Sequence, residues 1–197
     1  MASTISAQTS GGGGIVTFGD ASGVLQLQTN GTPTVTVDTS GNVTLAGSLI
    51  PTQTNGIVGT TTNNNANAGS VGEYVSAQLT APTSGLTSGT AANVISISLT
   101  AGDWDVSGAV FVNLGAGTAA SLVQASINTV SATNQGPTTG YCTYLQVTFT
   151  TSGGVGTPVP TLRLSLSTTT TVYLVVSAQF TVSTAGAGGF LRARRMR

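Results

Sequence analysis

The sequence predicts an all-β protein: a short N-terminal segment of β-repeats, then a C-terminal antiparallel β-sandwich of the jelly-roll kind. Three observations carry that expectation. Gly, Ser and Thr together make 84 of the 197 residues; Thr fits a pleated surface, while Gly weakens helices. Apolar and polar residues alternate over short runs, as in VISISL at 94–99 and LRLSL at 162–166, the pattern of a half-buried strand. Nothing between 73 and 197 has the apolar spacing of an amphipathic helix.

The elements follow in order. Residues 1–50 read as very short strands at 15–18, 24–28, 34–37 and 43–45, separated by Gly/Asx turns. The pattern D-x-S-G-x-x-x-L occurs at 20–27 and again at 38–45, two copies being too few for a solenoid. The D-x-S-G part reads as an Asx-type turn. Strands this short bury little alone, so further strands, most economically from identical chains, must cover them. Ser10 and the four glycines after it read as a tether or a close-fitting anchor. Residues 51–72, with the polar, uncharged run TTTNNNAN at 60–67, read as an irregular linker. From 73 to 197 the strands lengthen, with expected positions 73–80, 93–100, 102–113, 119–128, 141–151, 160–167, 170–182 and 186–194. About eight antiparallel strands in this span suit a sandwich or jelly roll.

Charge is scarce. Only 5% of residues are charged and the formal net charge is zero, against roughly a quarter charged in an ordinary domain. So little repulsion suits a chain whose faces are occupied by neighbours. Of five arginines, four (Arg192, Arg194, Arg195, Arg197) lie in the last six residues. No Lys or Arg precedes Arg163, a distribution that predicts resistance to trypsin over most of the chain. The apolar runs fall far short of the ~20 residues of a membrane helix, and the first residues lack the pattern of a signal peptide. The single Cys142 cannot form an intrachain disulfide and is expected to be a small buried hydrophobe.

Catalytic chemistry has few side chains to draw on. With no His and no Lys, Ser-His-Asp and Ser-Lys systems cannot be assembled within the chain. Asp103 and Asp105 sit two apart on one expected strand, on one face, with Trp104 on the other; a paired-carboxylate role is considered and set aside for a turn or subunit contact. Transition-metal sites need clusters of His or Cys, which a single cysteine and no histidine do not supply, and none of the acids has the dense spacing of a calcium loop. No cofactor is expected. Phe18, Trp104, Phe111, Phe149, Phe180 and Phe190 fall in strand patterns and are expected in the core. Tyr141 and Tyr144, beside a Gly-Pro turn, are candidate glycan contacts, since Tyr joins an apolar face to a hydroxyl.

Four segments carry a resemblance. GTTTNNNANAGSVGEYVS at 59–76, SLTAGDWDVSG at 98–108, FLRARRMR at 190–197 and GVLQLQTNGTPTVTVDTSGNVTL at 23–45 are similar to segments of tailed-bacteriophage virion fibre and spike proteins. The resemblance implies a homotrimer located in the virion and made in the host cytoplasm. Residues 1–50 would anchor it, 51–72 would link, and 73–197 would form a tumour-necrosis-factor-like knob that attaches to the host surface. Head, collar and short tail fibres fit the length best. A capsid decoration protein and a free glycan-binding module are the alternatives. Under the fibre reading, Arg192 and Arg194 share a strand face and meet Asp103, Asp105 or carbonyls at the trimer axis, where the planar guanidinium makes several bonds at once. Nucleic-acid binding and a glycan-phosphate site are the other readings of the arginine cluster; the first has no aromatic interleaving to support it. The expected partners are therefore two further copies, other virion proteins and a host glycan, with no membrane insertion.

Overall fold

The computed structural model describes residues 22–51, 57–149 and 153–197. The expected strand 15–18, Asp20, Phe18 and the glycine run lie outside these residues. The chain divides into two compact units, Met1–Thr61 and Thr62–Arg197.

The described part of the first unit is a three-stranded antiparallel meander: β1 (Leu25–Thr29), β2 (Thr32–Val37) and β3 (Val43–Leu45), in the order β1-β2-β3. The turn between β2 and β3 is made by a side chain. The Asp38 carboxylate accepts from the backbone N–H groups of Ser40 and Asn42, both at 2.9 Å, and from Asn42 Nδ2 at 2.8 Å. This is the Asx turn expected of D-x-S-G, and Gly41 follows at φ 81°, a conformation costly for a residue with a Cβ.

The described residues of the second unit form eight strands: β4 (Tyr74–Gly85), β5 (Ala92–Leu99), β6 (Gly102–Leu114), β7 (Ala119–Asn128), β8 (Cys142–Leu145), β9 (Gly154–Leu166), β10 (Thr170–Thr181) and β11 (Ala185–Arg195). They form two four-stranded antiparallel sheets, β4-β11-β6-β9 and β5-β10-β7-β8. The pairs β4–β11, β5–β10, β6–β9 and β7–β8 nest inside one another. That is the wrapping of a jelly roll. Alternation drives it: along β6, Trp104, Val106, Gly108, Val110, Val112 and Leu114 are buried, while Asp105, Ser107, Ala109, Phe111 and Asn113 between them are not. The opposing sheet contributes Leu99, Val123, Ile127, Val172, Leu174 and Val176 to the same core.

The structure departs from the expected strands in places where a physical reason is visible. The expected strand 141–151 shrinks to β8 plus a single bridge from Phe149 to Ala120. Between these, Gln146, Val147 and Thr148 span what β7 covers with Ser121 and Leu122, so one extra residue breaks the ladder. Strands β4 and β9 run longer than expected, β4 continuing through Pro82 and β9 starting ahead of Pro158 and Pro160. Both are edge strands, where a residue without an N–H is tolerated. Cys142 is half-buried rather than buried, being at the end of an edge strand. Phe111 and Phe190 are 45% and 37% exposed, on the outward positions of β6 and β11. Trp104 is fully buried, and Phe149 and Phe180 pack against the core from its margin.

Candidate functional site

The outer face of the β4-β11-β6-β9 sheet gathers most of the chain's sparse chemistry. Strand register builds it in rows. Arg194 of β11 lies between Tyr74 of β4 and Asp105 of β6, and Arg192 lies between Ser76 and Ser107. The next row sets Phe190 between Gln78 and Ala109. Arg192 Nε donates to Ser107 Oγ at 3.1 Å, and its guanidinium sits 5.6 Å from the centroid of the Phe190 ring. Tyr74, Asp105, Ser107, Thr161, Arg192 and Arg194 line an open depression of about 400 Å³. Farther along, Phe111 and Phe190 flank a shallow slot of about 280 Å³ that includes Gly156, Gly188 and Gly189.

Asp103 begins the same outward row but is engaged within the chain. Arg163 Nε and Nη2 donate to its two oxygens at 2.9 and 2.7 Å, and Arg197 Nε lies 3.1 Å from Oδ2. The Arg163 fork, with the charges of Arg163 and Arg197 behind it, holds the Asp103 carboxyl below its ordinary range, and Asp103 in turn raises Arg163. Of the four residues expected at a subunit contact, the structure thus brings Asp105, Arg192 and Arg194 together on an open face. Among the described residues none of those three is in an ion pair within the chain.

At the end of this sheet lies a second cluster that sequence reasoning missed. Arg195 is buried. Its Nε donates to Glu73 Oε2 at 2.9 Å, Nη1 to the Ala101 carbonyl at 2.8 Å and Nη2 to Thr100 Oγ1 at 2.5 Å, while the guanidinium stacks 4.4 Å from the Trp104 ring. Glu73 also accepts the backbone N–H of Gly69 at 2.8 Å. That bond, more than the Arg195 contact, holds the Glu73 carboxyl below its ordinary range, against the opposing effect of burial. The signal was available: Leu191, Ala193 and Arg195 share one parity on β11 and all three are buried, whereas Arg192 and Arg194 face outward.

Tyr141 and Tyr144 are 39% and 42% exposed. Tyr141 lies in the bend after the 3-10 turn Pro137–Thr139, and Tyr144 in β8 is in register with Gln124.

No protein-family model matches the sequence, and no curated protein matches it. Among solved structures, the chain is similar to one described as the structure of infectious bursal disease virus Gx strain, at 14% identity and a TM-score of 0.40, covering 82% of this chain and 42% of that one. It is also similar to the crystal structure of the infectious bursal disease virus VP2 subviral particle, at 13% identity and a TM-score of 0.35, covering 64% of this chain and 31% of that one. The chain spans less than half the length of either.

Proposed function

We propose that this chain is a structural protein of a tailed-phage virion: a homotrimeric fibre or spike of the head, collar or short-tail kind. It docks through residues 1–50 and displays the jelly roll as a knob for attachment to the host surface. The observation that supports this reading best is the outer face of β4-β11-β6-β9. In a protein with 5% charged residues, two arginines and a carboxylate that form no close ion pair among the described residues share one sheet face with two exposed phenylalanines. Aromatic and arginine side chains are the types enriched where proteins meet. Around a threefold axis, Arg194 and Arg192 of one copy reach Asp105 and backbone carbonyls of the next. The sequence resemblance at 59–76, 98–108 and 190–197 supports the virion assignment. Tyr141 and Tyr144 lie away from this face and are the proposed contacts for a host glycan.

Native mass spectrometry of the full chain tests the assembly. A trimer is expected, dissociated by Arg194→Asp and restored by adding Asp105→Arg. A wild-type monomer at micromolar concentration overturns the reading. Antibody against residues 73–197 then locates the knob on the particle: label at the tail or collar supports a fibre there, whereas label spread over the head supports a decoration protein.

A further inference from the structure

The three-stranded sheet of the first unit has one face that is aliphatic over two neighbouring cross-strand rows. Register places Leu25, Val37 and Val43 in one cross-strand row and Leu27, Val35 and Leu45 in another. The row between them, Gln26, Thr36 and Thr44, points to the opposite face. Six apolar side chains therefore project together. Leu25, Leu27, Val43 and Leu45 are 54, 47, 63 and 41% exposed, and Val35 and Val37 are half-buried.

We propose that this face is covered by the same face of two further copies of this chain, three sheets closing around a dry core with the Gln and Thr rows outside. The proposal rests on the trimer reading above. Two observations choose this occupant. First, the patch carries no charge: among the described residues of the unit, the single carboxylate, Asp38, is consumed by its own turn. Nothing on the face would select a foreign partner by charge, and an aliphatic surface is best matched by another like it. Second, the patch is small. Three strands about 4.8 Å apart and five residues long present roughly 250 Å², against about 800 Å² per partner in a stable free-standing interface. Free molecules would not hold together through it. Copies already joined at their knobs would, because covalent attachment to an associated knob raises the sheets' mutual concentration to about the millimolar range. Assembly is thus ordered: the jelly rolls associate first, and the N-terminal sheets close afterwards.

Cysteine cross-linking of the full-length protein tests this. With Cys142→Ser as background, Val35→Cys on the apolar face is expected to form an intermolecular disulfide under mild oxidation at a rate independent of protein concentration. Thr36→Cys on the polar face is not. Amide exchange at 25–45 should be slowed in the trimer and at least tenfold faster in Arg194→Asp, which separates the knobs. A trimer in which Val35→Cys fails to cross-link and exchange at 25–45 is fast overturns the inference and leaves the trimer reading standing. Protection gained only on the assembled particle also overturns it, and assigns the face to another virion protein. A monomeric wild type removes the trimer reading itself.

Discussion

The Arg195 guanidinium is held between the face of Trp104, 4.4 Å away, and the carboxylate of Glu73, 2.9 Å from its Nε. Those contacts tie three distant pieces of chain: the residue just before β4, the start of β6, and the end of β11. Backbone bonds run through the same place, with Gly72 N donating to the Arg195 carbonyl and Arg195 N to the Glu73 carbonyl. A desolvated cation is stable there because its charge, its donors and its ring face are all satisfied. Removing one partner is therefore costly, since the other charge remains buried.

Glu73→Gln keeps the shape and removes the charge. It is expected to destabilise the knob by about 3 kcal/mol. Arg195→Met, which removes the cation and fills much of its volume, is expected to cost less. Chemical denaturation at fixed protein concentration, followed by the emission of Trp104, measures both. Trp104 is the sole tryptophan, so its signal comes from this cluster alone.

Acid should destabilise the protein in a defined window. The carboxyls of Asp103, Glu73 and Asp38 are all held below their ordinary range, by Arg163, by the Gly69 N–H and by Asn42 respectively. A carboxyl whose folded pKa is depressed contributes stability at pH values above its unfolded pKa, and that stability is lost as pH falls through the folded value. Stability is thus expected to decline below about pH 4, the unfolded carboxyl range. Between about pH 5 and 8 it should be flat, because the chain has no histidine. Thermal unfolding in a pH series checks this, and Asp103→Asn should flatten the acid limb. A broad rise or fall across neutrality would contradict it.

Thr157 is fully buried on β9, and among the described residues its Oγ1 has no hydrogen-bond partner. Burying an unpaired hydroxyl costs free energy that an isosteric methyl does not. Thr157→Val is expected to raise stability by about 1 kcal/mol, read as a higher denaturation midpoint with unchanged slope.

Much of this architecture was legible in the residues, and what was missed has physical causes. Alternation in VISISL and LRLSL, together with Gly turns, placed all eight strands of the second unit. The ends were misjudged where local chemistry yields to position in the sheet, as at Pro158 and Pro160 on an edge. Parity puts Arg192 and Arg194 on one face of their strand and Asp103 and Asp105 on one face of theirs; that β11 lies beside β6, setting Arg194 against Asp105, is not encoded in either strand alone. Arg195 was read as part of a basic tail, although the same parity puts it with Leu191 and Ala193. Its burial depends on Glu73, more than a hundred residues earlier in the chain, and on a ring face. Composition does not encode that pairing. Phe111 and Phe190 were expected inside because aromatics usually are, yet their parity on β6 and β11 turns them out.

Glycine at position 102 makes room for the arginine. Gly102 has φ 144°, and a Cβ there would collide with Arg195 Nη1. Gly117 also has positive φ, at 75°, but a Cβ there would meet nothing within 4 Å. Gly117→Ala should therefore show backbone strain alone, about 1 kcal/mol. Gly102→Ala adds displacement of the guanidinium from Glu73 and Trp104 and is expected to cost at least twice as much. Trp104 emission separates the two effects, shifting in Gly102→Ala and holding steady in Gly117→Ala. Equal losses with equal spectra would mean that the space over Gly102 is not what holds Arg195 in place.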